Sequence, residues 1–119
     1  MSRIECVLDF ADKTVQWAQS ELELTIEETA RALGVNRKTV VRWVKRESAP
    51  SSEHRQQLEQ LNQIRYLMDN SFRSPEARQR WLHAPAQGLK GKTPYAALTE
   101  GNLDEIFRLL GTLAAGAFH

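Results

Sequence analysis

At 119 residues and 13.6 kDa, the chain has room for one or two very small domains and excludes a doubly wound sheet or an eight-stranded α/β barrel. Sixteen Lys and Arg against fifteen Asp and Glu leave a formal charge of +1, so a nucleic-acid role rests on local clustering rather than on bulk basicity. A chain of this length buries about two thirds of the surface exposed by its unfolded form, a core with little surplus, and a partner subunit is therefore expected. The single Cys6 permits no internal disulfide and no cysteine-rich zinc site. It is expected to be a small buried hydrophobe in a reducing, cytoplasmic compartment. No window approaches the apolar length of a membrane span, and the start is mixed and polar, unlike a signal segment.

Taken in chain order, nearly every long segment reads at helical period, which predicts an all-α protein. Val7, Ala11, Val15, Ala18 and Leu22 recur three or four apart, a packing stripe widened by Leu8 and Trp17. Thr25 and Glu28 stand at capping-box spacing and open a second helix. That helix runs to Leu33, where Gly34 can take the left-handed conformation that ends it. Asn36 caps a third helix from Arg37 to about Lys45, with Val40, Trp43 and Val44 inward. The polar run Ser48 to Ser52, which contains Pro50, is the expected boundary between domains at 1–50 and 51–119. Ser52 caps a fourth helix towards Asn70, with Leu58, Leu61, Ile64, Leu67 and Met68 on one side. Ser74 with Pro75, and Thr93 with Pro94, each pair a cap with a first-turn proline. They open helices carrying Ala77, Trp81 and Leu82, then Tyr95, Ala97 and Leu98. Asn102 caps a last helix whose broad apolar face comprises Leu103, Ile106, Phe107, Leu110, Leu113 and Ala114.

The chemistry concentrates between Thr25 and Trp43. Two short helices joined by Gly34, Val35 and Asn36, with Ala30 where they must approach closely, make a helix-turn-helix signature. From Arg31 to Arg46 there are six Arg and Lys residues and no acid, whereas Glu21, Glu23, Glu27 and Glu28 lie just upstream. Arg37, Lys38 and Arg42 are candidates for base edges, because arginine can bridge the O6 and N7 acceptors of guanine. Asn36, Thr39, Lys45 and Arg46 suit phosphates, and Val41 suits a thymine methyl. One such domain makes few base contacts, so an operator binder should be a homodimer, with half-sites about 34–36 Å apart. Thr29 sits beside Ala30 where a larger aliphatic is usual, and its hydroxyl is expected to bond back to the carbonyl of Thr25 or Ile26.

Other signals carry less. Ala86 to Thr93 matches a permissive phosphate-loop pattern but follows no buried strand. His54, His83 and His119 lack close His or Cys companions, so no metal site is expected. Asp104 and Glu105 suit a helix dipole better than catalysis, and the chain is read as a non-enzyme without cofactor. Gly111 inside a helix costs about 1 kcal/mol against alanine, for which close packing is the expected reason.

The second half exceeds what DNA reading needs. It carries Trp81 and Leu82 before a proline-broken loop, then Gly88, Leu89, Gly91, Lys92, Thr93, Pro94, Leu98, Gly101, Asp104, Leu109, Leu110, Leu113, Gly116 and Phe118. In this pattern, together with the helix-turn-helix, the chain resembles antitoxins of the Xre/MbcA/ParS group over roughly residues 20–119. The resemblance implies a DNA-binding half that represses a shared operon and a toxin-binding half that neutralises a cognate RES-domain toxin, an NAD-consuming or ADP-ribosylating enzyme. It also implies that the terminal segment, here Leu113, Ala114, Gly116, Ala117 and Phe118, covers the toxin's active-site entrance, with Trp81 and Lys92 also in the toxin-binding set. The alternative is a stand-alone dimeric transcriptional repressor with no toxin partner.

Overall fold

The computed structural model describes residues 3–116, which form seven α-helices: α1 (Arg3–Glu21), α2 (Ile26–Leu33), α3 (Arg37–Val44), α4 (Ser52–Ser71), α5 (Pro75–Leu82), α6 (Pro94–Thr99) and α7 (Leu103–Gly116). One 3-10 turn, Gln87–Leu89, lies between α5 and α6. The fold is all-α, with a helix-turn-helix near its start. The chain divides into two compact units, and the division falls inside α4, between Glu59 and Gln60.

In the first unit α1 packs against α2 and α3. Ala11, Val15, Trp17, Ala18 and Leu22 of α1 are buried with Ala30, Ala32 and Leu33 of α2 and Val40 and Trp43 of α3. Cys6 is exposed, which corrects the expectation of a buried thiol. It precedes Val7 by one position, about 100° round the helix from the packing stripe. The α1 exit is closed by the Leu24 amide donating to the Ala18 carbonyl at 3.2 Å, with Glu23 in the left-handed region at φ 59°. That six-residue closure satisfies a carbonyl left over at the helix end.

The capping box at α2 is complete. The Thr25 hydroxyl accepts from the Glu28 amide at 3.0 Å, and the Glu28 carboxylate accepts from the Thr25 amide at 2.9 Å. Thr29 is fully buried and its hydroxyl donates to the Thr25 carbonyl at 2.8 Å, which satisfies a polar group placed in this core. Gly34 ends α2 at φ 71°. A Cβ there would also lie 3.3 Å from the Gln57 side-chain amide, so both conformation and space favour glycine. The cap at the start of α4 is Ser51, whose hydroxyl accepts from the His54 amide at 3.2 Å, one residue before the expected Ser52.

The second unit buries Leu61, Ile64 and Met68 of α4, Leu82, Leu89, Ala97 and Leu98, and Leu103, Ile106 and Leu110 of α7. Ser74 and Thr93 cap α5 and α6 through their hydroxyls, each with a proline in the first turn. On α5 the buried residues are Leu82 and Arg78. Ala77 and Trp81, expected inward, are only half-buried, and Trp81 meets Phe72 at 5.3 Å between ring centroids. Gly88 lets the 3-10 turn approach α7, because a Cβ there would lie 3.2 Å from Leu109 Cδ1.

Candidate functional site

The outer face of α3 is built by its own cap and by its buried opposite side. The Asn36 side-chain oxygen accepts from both the amide and the hydroxyl of Thr39, each at 2.9 Å. This holds Asn36 and Thr39 at the helix start and offers the amide nitrogen of Asn36 to an outside acceptor. With Val40 and Trp43 buried, the 3.6-residue period turns Lys38, Arg42 and Lys45 outward, and all three are exposed. None has a partner among the described residues. Val41 is half-buried, beside these cations. Three free donors within two turns form a cationic ridge suited to the phosphates and base edges of a duplex.

The remaining two cations of the sequence-based set are engaged. Arg37 opens α3, and its Nε donates to Glu27 Oε1 of α2 at 2.8 Å. Arg46 follows the helix at φ 61°, with Nη1 3.2 Å from Asp9 and 3.8 Å from Asp12 of α1. Arg46 thus ties the end of α3 to α1, a contact that spacing did not predict. Sequence reasoning passed over Glu27, Asp9 and Asp12. The acids upstream of the basic run were visible, but only as a contrast in charge.

Glu27 and Asp9 are both held below the ordinary carboxylate range. For Glu27 the first cause is a hydrogen bond from its own backbone amide, followed by the one from Arg37. For Asp9 it is a hydrogen bond from Lys13, followed by one from Arg46.

The loop that resembles a phosphate cradle does not work as one. The amides of Leu89 and Gly91 donate to the Ala86 carbonyl, that of Lys90 to Gln87, and that of Lys92 to Leu89, all at 3.1 Å. A phosphate nest needs those amides turned outward together. The Lys92 ammonium pairs with Glu100 at 3.0 Å. His83 caps the end of α5 and stacks on Tyr95 at 4.7 Å. Among the described residues no group of three or more His, Cys, Asp or Glu is placed to hold a metal, and no helix is long and apolar enough to cross a membrane.

On α7 the buried side is Leu103, Ile106 and Leu110, which leaves Phe107 41% and Leu113 38% exposed. The expected apolar face is therefore split, and its outer part is uncovered. A Cβ on Gly111 would meet nothing within 4 Å among the described residues, so close packing against them is not the reason for that glycine. Asp104, Phe107, Arg108, Gly111 and Thr112 line a shallow cavity of about 640 Å³ on this surface. The helix continues through Ala114 to Gly116. Ala117, Phe118 and His119 lie outside the described residues, as do the side-chain surroundings of Ala114.

Residues 3–51 match the model of the Homeodomain-like domain, the region of α1 to α3. Curated proteins give no match. A chain in the crystal structure of the M. tuberculosis MbcT-MbcA toxin-antitoxin complex is similar in fold, with a TM-score of 0.62 and 22% sequence identity. The similarity covers 91% of this chain and 96% of that one.

Proposed function

We propose that this chain is an antitoxin that neutralises a cognate RES-domain toxin, NAD-consuming or ADP-ribosylating, and represses its own operon as a homodimer through the helix-turn-helix. The observation that carries the reading is the pairing of two unlike faces in one chain: the free Lys38, Arg42 and Lys45 ridge on α3 and the uncovered Phe107, Gly111 and Leu113 on α7. Similarity in fold to a chain of a toxin–antitoxin complex, extending over both units, supports it.

In this reading Asn36, Arg37, Lys38, Thr39, Val41, Arg42, Lys45 and Arg46 form the operator surface, and the cations make its affinity fall with added salt. The toxin surface comprises Trp81, Lys92, Leu113, Ala114, Gly116, Ala117 and Phe118. An end segment of small and apolar residues suits insertion into a cleft, where side-chain bulk would keep two backbones apart. No chemistry is required of the antitoxin itself. Neutralisation is steric, by occupying the entrance that the toxin's substrate must use.

The deciding experiment is affinity capture of the native protein, mass identification of a stoichiometric partner, and deletion of residues 114–119. A RES-domain partner that is lost on deletion, with duplex binding retained, supports the antitoxin reading. Absence of any stoichiometric partner together with intact duplex binding leaves the stand-alone repressor. Separately, replacing Arg37 and Arg42 together with alanine should weaken duplex binding by at least about tenfold. Unchanged affinity would remove α3 as the DNA-binding face.

A further inference from the structure

We infer that Glu27 is a positioning residue for base recognition: it clamps the Nε of Arg37, so that the two terminal nitrogens of the guanidinium form a fixed fork aimed at one guanine. The inference rests on the DNA-binding reading of α3 and adds a residue from α2 to it. Arg37 is the first residue of α3, and in helix-turn-helix proteins the start of the second helix reaches the base edges. An arginine there has long, freely rotating side-chain bonds, and holding one geometry costs rotamer entropy when it binds.

Glu27 removes part of that freedom in advance. Its Oε1 accepts from Arg37 Nε at 2.8 Å, across ten residues of sequence. Using Nε is the chemically informative part. The guanidinium presents five donors in a plane. A carboxylate on Nε leaves the far edge, with one N–H from each terminal nitrogen, for a second acceptor pair. Guanine O6 and N7 offer such a pair in the major groove.

The backbone that carries the carboxylate is anchored. Glu27 lies in the first turn of α2, which the capping box anchors at Thr25 and Glu28. Its carboxyl is held below the ordinary carboxylate range, by its own backbone amide first and then by Arg37. Arg46 supplies the contrast on the same element. Its terminal nitrogen, Nη1, is the one that meets Asp9 and Asp12, so one of the two nitrogens of its outer edge is already engaged. The nitrogen used differs between the two, Nε in Arg37 and a terminal nitrogen in Arg46.

The test is selection from a duplex library with a randomised core, sequenced after binding to the intact chain and to R37A, E27A and E27Q. The intact chain should enrich a motif containing a guanine that R37A loses. E27A should reduce preference for that same guanine by at least about threefold while leaving the other positions of the motif unchanged. E27Q keeps an acceptor oxygen and should fall between the two. An E27A motif identical to that of the intact chain, with the guanine lost only in R37A, would overturn the inference and leave the DNA reading standing. A uniform rise in E27A binding to all sequences would overturn it as well, since Glu27 would then merely compete with phosphates. No enrichment by the intact chain would overturn the DNA reading and this inference together. Glu27 is exposed and Thr25 supplies the cap, so the variants should unfold at nearly the temperature of the intact chain.

Discussion

The two units each leave one helix face open, with opposite chemistry. On α3 the open residues are the cations Lys38, Arg42 and Lys45. On α7 they are Phe107, Gly111 and Leu113. A cationic face is well solvated in water, so exposure alone argues for nothing. The functional reading of α3 therefore leans on geometry, such as the pairing of Arg37 with Glu27. The α7 face is different. Apolar area left in water forgoes about 25 cal/mol per Å², and a helical glycine with open space beside it forgoes about 1 kcal/mol against alanine. Neither loss is recovered within the described residues, which is why that face calls for a partner.

The largest effects should come from removing the core beneath each face in turn. Trp43 is 1% exposed and Leu110 fully buried. Trp43→Ala should cost about 3–5 kcal/mol and Leu110→Ala about 2–5. If the units fold as separate bodies, W43A abolishes duplex binding while partner capture survives, and L110A does the reverse. Denaturant unfolding followed beside the two binding assays checks this. Loss of both activities in both variants would make the units one cooperative body and dissolve the contrast between them.

Glycine substitutions sharpen the contrast at intermediate size. Gly34→Ala puts a side chain at φ 71° and 3.3 Å from Gln57, and should destabilise the first unit by about 1–2 kcal/mol. Gly111→Ala should do the opposite, raising stability by about 1 kcal/mol through helix propensity, because nothing stands within 4 Å of the new methyl group. If a partner helix seats against that spot, the same methyl lowers capture of the partner. Thermal stability and partner affinity would then move in opposite directions in one variant. A stabilised protein with unchanged affinity would leave Gly111 without a role in docking.

Legibility in the sequence also differs between the units. In the first, function and fold share one short stretch, so the capping box, the Gly34 turn and the basic run could be read from spacing. The closing bond of Thr29 to Thr25 was legible for the same reason, being local. What spacing could not supply were partners far along the chain. Arg46 meets Asp9 and Asp12 over more than thirty residues, and a list of basic residues does not tell a spent cation from a free one. In the second unit periodicity found the helices and the buried stripes of α4 and α6 but misjudged the rotation of α5. Arg78 is buried where Ala77 and Trp81 were expected inward, since a long stem can be buried along with an apolar neighbourhood. On α7 the six candidate apolar positions exceed what one packing side can hold, and the surplus marks the outer face.

The smallest expected effect is acid sensitivity of the first unit. Asp9 is held below its ordinary range by Lys13 and then Arg46, and Glu27 by its own amide and then Arg37. A carboxylate with a lower pKa in the folded chain adds stability that is complete above its unfolded value. That stability is lost as the pH falls through the folded value. The window therefore lies on the acid side, below about pH 4. Both pairs are solvent-exposed, so the contribution is small and shrinks further with salt. Thermal unfolding of D9N and E27Q against pH should run slightly below the intact chain near neutrality and converge with it in acid. A D9N profile parallel to that of the intact chain down to acid would mean that the Arg46 tie contributes nothing to holding α3 on α1, and the ridge of Lys38, Arg42 and Lys45 would be positioned by Val40 and Trp43 alone.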